Sequence, residues 1–349
     1  MKHSIKYLAL IFWSTSAVIS ATPDASALPT TPLWCVVGGS RNTGYAMAHN
    51  LCNDSSARCR LFVYDKKKIE KMFASTPNKP EIIEGDVTKE EQLPDLIKAA
   101  QGASYLVIAQ VFPYAVWEKS YLAMVAHCIA AAKATGARLV YFGRTQRYGL
   151  VSPIVEDSLA KPNSVQGTVL DEAEKLIANA GVASIVIRHS YPFGPNVGDG
   201  LLEKNFSTIA AHKKKPKQKF EWIASKTTKL QFTFLPDLAA FTRMVADQTK
   251  AAQSVVVHFA GITLDSIETL GSKYCALAGS ICQCDLLMRG KLSLATVINK
   301  EAKRALDAYY SFENEILLDS SYQEKEFPFP LTSLDEALQK TYTFYAEND

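Results

Sequence analysis

The chain has 349 residues, 48% of them hydrophobic and 21% charged, with a formal net charge of +3. A chain of this length buries a large core, as one domain or as one domain with a smaller appendage. The composition is that of a globular protein. The charge is near-balanced and no extended basic stripe with interleaved aromatics occurs, so neither nucleic acid nor, after leader removal, a membrane is an expected partner.

The N-terminus reads as a leader. "MKHSIK" is a basic n-region, and "YLALIFWSTSAVISA" is an apolar stretch too short to span a bilayer comfortably. Candidate cleavage falls after Ala21 or after Ala25-Ser26-Ala27. Residues 1–27 are therefore expected to be a signal peptide or leader, and the chain to be exported, periplasmic or secreted. An uncleaved anchor or a later start is the alternative; without cleavage of a leader the chain is cytoplasmic. The seven cysteines do not make a disulfide scaffold. Cys35 lies in a strand pattern and Cys128 in a helix pattern, as buried thiols do. In an exported chain Cys52 and Cys59 can pair, as can members of the trio Cys275, Cys282 and Cys284. No cysteine or histidine cluster has metal-ligand spacing.

Strand and helix patterns then alternate. Apolar strand runs are "LWCVVGG" (33–39), "CRLFVYD" (59–65), "PEIIEGDV" (80–87), "SYLVIAQ" (104–110), "ARLVYFG" (137–143) and "ASIVIRHS" (183–190). Helix patterns between them are "GYAMAHNLC", "QLPDLIKAAQG", "SYLAMVAHCIAAAKATG" and "TVLDEAEKLIANAG" (168–181). Continuous Val/Ile/Leu strands separated by helices predict an α/β fold, a doubly wound parallel sheet with its ligand crevice at the C-terminal strand ends. Residues 33–190 are assigned to this Rossmann-like domain, and 191–349 to a smaller C-terminal α/β lobe with segments returning to it. The basic run "HKKKPKQK" (212–219) holds Pro216 and reads as a solvated loop.

The turn "GGSRNTG" joins the first strand to the first helix. Glycines there let backbone N–H groups approach a pyrophosphate at the helix N-terminus. Gly38, Gly39 and Gly44 keep the first and last glycine positions, with Ser40 and Arg41 between them. Asp65 follows at the end of the second strand, 21 residues past Gly44, where a carboxylate accepts from ribose hydroxyls. That favours NAD; Arg41 with Lys66, Lys67 and Lys68 would instead suit the 2′-phosphate of NADP.

These landmarks resemble the extended short-chain dehydrogenases/reductases. "EGDVTKEEQL" resembles their G-D-V segment, "ARLVYFGRTQRYG" their K-R-F-V-Y-x-S-S-x-x-V-Y-G, and "IVIRHSYPFGP" their I-L-R-x-x-N-V-Y-G-P. "LQFTFLPDLAAFTRMVAD" resembles their late R-D-F-x-Y-V-D-D-x-A segment, and the order holds from Leu33 to Gly261. A closer resemblance is to NAD-dependent epimerase/dehydratase-like proteins, through Pro113, Tyr114 and Trp117, through "IVED" (154–157), and through Asp319 to Thr341. Atypical members carry arginine where Arg41 stands. The resemblance implies NAD or NADP bound by Gly38, Gly39, Ser40, Arg41, Gly44, Asp65, Asp86, Val87, Ala109 and Gln110. It also implies a small-molecule substrate, polar or carbohydrate-like. By analogy it implies a homodimer through helices on the sheet flank.

The family's chemistry needs a tyrosine to move a proton and a lysine four residues on to lower its pKa. Aligning "DEAEKL" with the family's A-E-A-E-x-L places Gln166 and Leu170 at those positions, so the pair is absent. Substitute catalytic residues are Arg144, which can polarise a carbonyl, Thr145, which can bind a substrate oxygen, and Tyr148, which either donates a proton or is structural. The substrate pocket is assigned to Tyr114, Trp117, Gln146, His189 and Tyr191. Two functions follow: an oxidoreductase or epimerase, or a catalytically silent dinucleotide- or ligand-binding protein of the same fold.

Overall fold

The computed structural model describes residues 31–113, 116–151, 153–198, 200–213, 215–296 and 300–347. The leader and Tyr114 lie outside them. In chain order the elements are β1 (Leu33–Val37), α1 (Asn42–Cys52), β2 (Arg58–Val63), α2 (Lys66–Met72), β3 (Glu81–Glu84), α3 (Leu93–Ala100), β4 (Tyr105–Ile108), α4 (Trp117–Thr135), β5 (Arg138–Arg144), α5 (Val165–Ala178) and β6 (Ser184–His189). There follow β7 (Tyr191–Phe193), α6 (Gly200–Ala211), β8 (Lys217–Ile223), β9 (Leu230–Phe234), α7 (Leu235–Gln248), β10 (Val255–Phe259), β11 (Ile262–Leu264), α8 (Ile267–Leu277) and β12 (Ile281–Leu287). Five helices close the chain: α9 (Arg289–Ala295), α10 (Lys300–Asp307), α11 (Tyr310–Glu313), α12 (Ser321–Glu326) and α13 (Leu334–Glu347).

Seven strands form one parallel sheet in the order β3-β2-β1-β4-β5-β6-β10. Alternate residues of β1 face opposite layers, as the strand period of two requires. Trp34 and Val36 pack with residues of α1 and α7, whereas Cys35 and Val37 pack with residues of α3, α4 and α5. Both faces of the sheet are therefore covered, which is why its central strands β1, β4 and β5 read as apolar runs. The chain reverses direction in sheet order between β3 and β4, and this opens the crevice beyond the C-terminal ends of β1 and β4.

After β6 the strands pair at long range in two small sheets as well as in the main one. β7 and β11 flank β9, and β8 pairs with β12. Val255–Phe259 returns to the main sheet as its seventh strand, parallel to β6. One reading changes here. The basic run at 212–219 is a loop only in its first part, because Lys217–Lys219 starts β8, whose Gln218 and Phe220 are buried while Lys217 and Lys219 face solvent. No helix among the described residues is long and apolar enough to cross a membrane.

Candidate functional site

A cavity of about 980 Å³ opens at the C-terminal ends of β1, β2, β4 and β5 and runs toward α6, α9 and α10. Its first wall is the turn after β1, with Gly39, Ser40, Arg41 and Asn42. Gly38 holds φ +84°, and Gly44 packs against it so closely that a Cβ on Gly44 would lie 2.6 Å from the Gly38 carbonyl oxygen. The turn is therefore a bare-backbone surface folded onto itself. It is also latched to the loop after β7. Asn42 Nδ2 donates to Val197 O at 2.8 Å, Asn196 Nδ2 to Ser40 O at 2.9 Å, and Arg41 Nη1 to Gly198 O at 2.6 Å. Asn42 sits at φ +55°, a left-handed conformation that asparagine tolerates better than most residues.

That latch alters the helix N-terminus. The Asn42 N–H donates to Asn196 O at 2.9 Å, and the Thr43 N–H to Asn42 Oδ1 at 3.0 Å. Two of the N–H groups that a bare helix end would offer an anion are thus already satisfied. The Arg41 guanidinium is the positive charge standing at this wall. Beyond it, Asp65 ends the turn after β2 and lines the cavity beside Lys68. Its Oδ1 caps α2 by accepting from Lys68 N at 2.9 Å.

The far wall comes from β5 and α5. Arg144, Gln146 and Gln166 all line it. Gln146 is buried, and its Oε1 accepts no hydrogen bond among the described residues. Gln166 begins α5, which is fixed by a double cap. Ser164 Oγ accepts from Gly167 N at 3.0 Å, and the Asp307 carboxylate of α10 accepts from Val165 N and Gln166 N, each at 3.2 Å. Leu170, one turn further on, is off the lining and packs with Trp117 and Val169 in an apolar cluster.

The remaining lining is largely apolar: Leu201, Trp222, Ile223, Leu287, Leu292, Ala305 and Phe312, with Lys204, Lys291 and Arg304 among them. Tyr191 lies at the junction, its ring stacked on Phe312 at 5.1 Å and its hydroxyl donating to Ser311 Oγ at 2.7 Å. Burial raises the Tyr191 pKa above the usual tyrosine range.

The cavity brings together Gly39, Ser40, Arg41, Asp65, Gln110, Arg144, Gln146 and Tyr191 of the residues expected from the sequence. The other expected residues have different surroundings. Gly38, Gly44 and Ala109 support the turn from beneath. Asp86 is absorbed in its own turn, accepting from Thr88 N and Thr88 Oγ1, and Val87 O accepts from His127 Nδ1 at 2.7 Å. Thr145 is buried next to Arg144 but off the lining. Trp117 stacks on Tyr121 at 4.7 Å and is not a cavity wall.

Tyr148 is fully buried and its hydroxyl is committed, which places it behind the cavity rather than in it. It accepts from Arg188 Nη1 at 2.5 Å and lies 2.8 Å from His258 Nε2. Burial and neighbouring cations hold His258 down at about 4, so the ring is neutral and shares a hydrogen bond with the Tyr148 hydroxyl through Nε2. Arg188 completes the cluster with Nε and Nη2 on Glu174 Oε2 at 3.0 and 2.8 Å, while Arg147 pairs with Asp171 at 2.8 Å. His189 is also fully buried; its pKa falls to about 3 through burial and then the charge of Arg144, and its Nδ1 lies 2.8 Å from Ser190 O. A neutral, enclosed imidazole off the lining is not set to shuttle protons to the cavity.

Sequence reasoning missed the Asn196–Val197–Gly198 latch, Asp307, and the Trp222–Phe312 lining. A glycine-rich "GPNVGDG" loop was visible, but its partner is the turn some 155 residues earlier.

The model of the NAD dependent epimerase/dehydratase family matches residues 34–258, more than half of the chain. No curated protein matches in sequence. Among solved structures, the Bordetella bronchiseptica enzyme WbmH in complex with NAD+ is 19% identical with a TM-score of 0.69, over 90% of this chain and 98% of that one. UDP-glucuronic acid 4-epimerase from Bacillus cereus in complex with NAD is 15% identical with a TM-score of 0.71, over 90% and 99%. dTDP-glucose 4,6-dehydratase from Bacillus anthracis in complex with NAD is 14% identical with a TM-score of 0.69, over 91% and 97%. At such identities the likeness establishes a shared fold, and together with the match over β1 to β10 it leads to one conclusion: the chain belongs to the NAD dependent epimerase/dehydratase family.

Proposed function

We propose that the chain binds NAD along the ends of β1, β2 and β4 and acts on a small polar, carbohydrate-like substrate as an oxidoreductase or epimerase without the usual tyrosine–lysine pair. The observation that carries this reading is the continuity of one cavity from the glycine turn and Asp65 to Arg144, Gln146 and Gln166. The residues fit a dinucleotide. Gly38 and Gly44 keep side chains off the turn, and among the described residues Asp65 Oδ2 has no partner and can accept from ribose hydroxyls. The three solved neighbours named above hold NAD, which supports NAD over NADP.

Bound NAD supplies a hydride acceptor. The chain's own residues then have distinct tasks. Arg41 answers the pyrophosphate charge, because the Asn42 and Thr43 N–H groups are already spent on the latch. Arg144 is a permanent fork of donors at the junction, suited to polarising a carbonyl or clamping a carboxylate. The unpartnered Gln146 Oε1 and the Gln166 amide orient a polar group. Neighbouring folds solved with UDP-glucuronic acid and formylated UDP-arabinopyranose support a sugar-nucleotide class of substrate.

One observation favours a second reading, a catalytically silent binder. Gln166 does not titrate, Leu170 is packed in apolar surroundings, and the lining tyrosine Tyr191 has its proton committed and its pKa raised. Calorimetric titration of the purified chain with NAD+, NADH, NADP+ and NADPH tests both. Micromolar binding of the NAD pair is expected, with loss in a folded Gly44→Asp variant that pushes a carboxylate against the turn. Bound cofactor whose 340 nm absorbance never changes across a sugar-nucleotide panel would favour the silent reading. A folded chain that binds none of the four would overturn cofactor binding.

A further inference from the structure

The spacing C-x6-C occurs twice, at Cys52/Cys59 and at Cys275/Cys282. Both copies straddle the same kind of junction. Cys52 is the last residue of α1 and Cys59 the second of β2; Cys275 lies in the last turn of α8 and Cys282 is the second residue of β12. In each case the helix ends, the chain turns back, and the first residues of the next strand run beside the helix end.

The fold closes both spacings into contacts. In each pair the two free thiols lie against each other, one inside the apolar core and the other packed on it. The position of Cys282 is fixed from a second direction. A Cβ placed on Gly271, one turn before Cys275 on the same helix face, would lie 3.2 Å from Cys282 Sγ. The sulfur therefore rests against the face of α8 that carries Cys275. Accessibility is divided alike in both pairs: Cys52 and Cys275 are wholly buried, whereas Cys59 and Cys282 are half-buried.

We propose that Cys52–Cys59 and Cys275–Cys282 are two disulfide sites, closed by exchange with an external disulfide of the glutathione or dithiol-carrier class. The reachable thiolate, Cys59 or Cys282, attacks one sulfur of the external disulfide and expels the first thiol. The buried partner then attacks the resulting mixed disulfide and expels the second. Two protein thiols become one disulfide, and one external disulfide becomes two thiols, so electrons and protons balance.

The other three cysteines do not compete. Cys35 and Cys128 are fully enclosed in the core, and burial pushes the Cys35 thiol up to about 12. Cys284 lies two residues after Cys282 on one strand, where Cα atoms stand about 6.7 Å apart with parallel Cβ directions, a poor geometry for a bridge. Among the described residues no group of three or more His, Cys, Asp or Glu side chains could hold a metal ion.

The test starts from the folded, fully reduced chain. It is equilibrated with excess oxidised glutathione, quenched in acid, denatured and alkylated. Intact mass should show three alkylated cysteines out of seven and no retained glutathione. Tryptic cleavage after Arg58 should leave two peptides joined through Cys52 and Cys59. Chymotryptic cleavage after Leu277 should leave peptides joined through Cys275 and Cys282. In Cys59→Ser, Cys52 should become alkylatable while the second bridge persists. Seven alkylated cysteines would overturn the proposal, as would stable glutathione adducts at Cys59 and Cys282 or a bridge from Cys282 to Cys284.

Discussion

Arg41 shows how one side chain can replace a glycine in a phosphate-facing turn. It adopts an extended backbone conformation, φ −166°, that any residue reaches. Its side chain then passes over Gly198, whose lack of a Cβ and φ of +82° make room for it. The sequence made Arg41 visible as a departure from the glycine pattern. It could not show the partner, because Gly198 lies 157 residues away and nothing local marks the pairing. If Arg41 carries the pyrophosphate charge in place of the occupied N–H groups, Arg41→Ala should weaken NAD binding about tenfold or more, the loss of one charge-assisted hydrogen bond of about 1.5–3 kcal/mol. Calorimetry on the folded variant checks this. An unchanged Kd would mean that other groups meet the pyrophosphate.

Among the elements, α5 joins the two halves of the site. Its N-terminus presents Gln166 to the cavity, and its inner face holds Asp171 and Glu174 against Arg147 and Arg188. Its start is set by Ser164 from within and by Asp307 from α10. Asp307→Ala should remove the acceptor for two N–H groups at a helix end and cost about 1 kcal/mol, read as a lowered urea midpoint with an unchanged slope. No change would mean that water serves those donors equally well. The sequence reading began this helix at Thr168, three residues late, because Val165, Gln166 and Gly167 carry little apolar periodicity and the cap comes partly from a distant element. The six strands from β1 to β6 were legible for the opposite reason. β1, β4, β5 and β6 are apolar runs buried on both faces, and even β2 and the edge strand β3 keep an apolar centre bounded by turn residues. The pairings β7–β9–β11 and β8–β12 were not, since a strand's own residues carry no mark of the distant partner they will meet. The same limit explains Tyr148. Its hydroxyl chemistry was visible, but its enclosure by Arg188 and His258 depends on β6 and β10 arriving beside it.

At the scale of the whole molecule, the two enclosed histidines make folding depend on pH. His189 is held at about 3 and His258 at about 4, in both cases chiefly by burial. Arg144 faces the first, and Arg188 and Arg147 face the second, adding to the depression; Ser190 O on the first and Asp319 on the second oppose it. An unfolded histidine titrates near about 6.5. Both rings are neutral in either state above that value, so the stability they permit is fully present there. Below it the unfolded chain takes up protons that the folded chain refuses, and stability falls toward the folded values. Each histidine then contributes a slope of about 1.4 kcal/mol per pH unit. Between pH 6.5 and 5.5, where that slope is still developing from half its full value, the pair should remove roughly 2 kcal/mol, a sizeable part of a typical domain stability of about 5–15 kcal/mol. Carboxylates add little in this window, because their unfolded values lie near about 4. Urea unfolding at pH 7.5, 6.5 and 5.5 should give a plateau followed by a fall, and His189→Gln should roughly halve the fall. A stability that stays flat down to pH 5.5 would mean that the rings reach water, or that they are charged, in the folded chain.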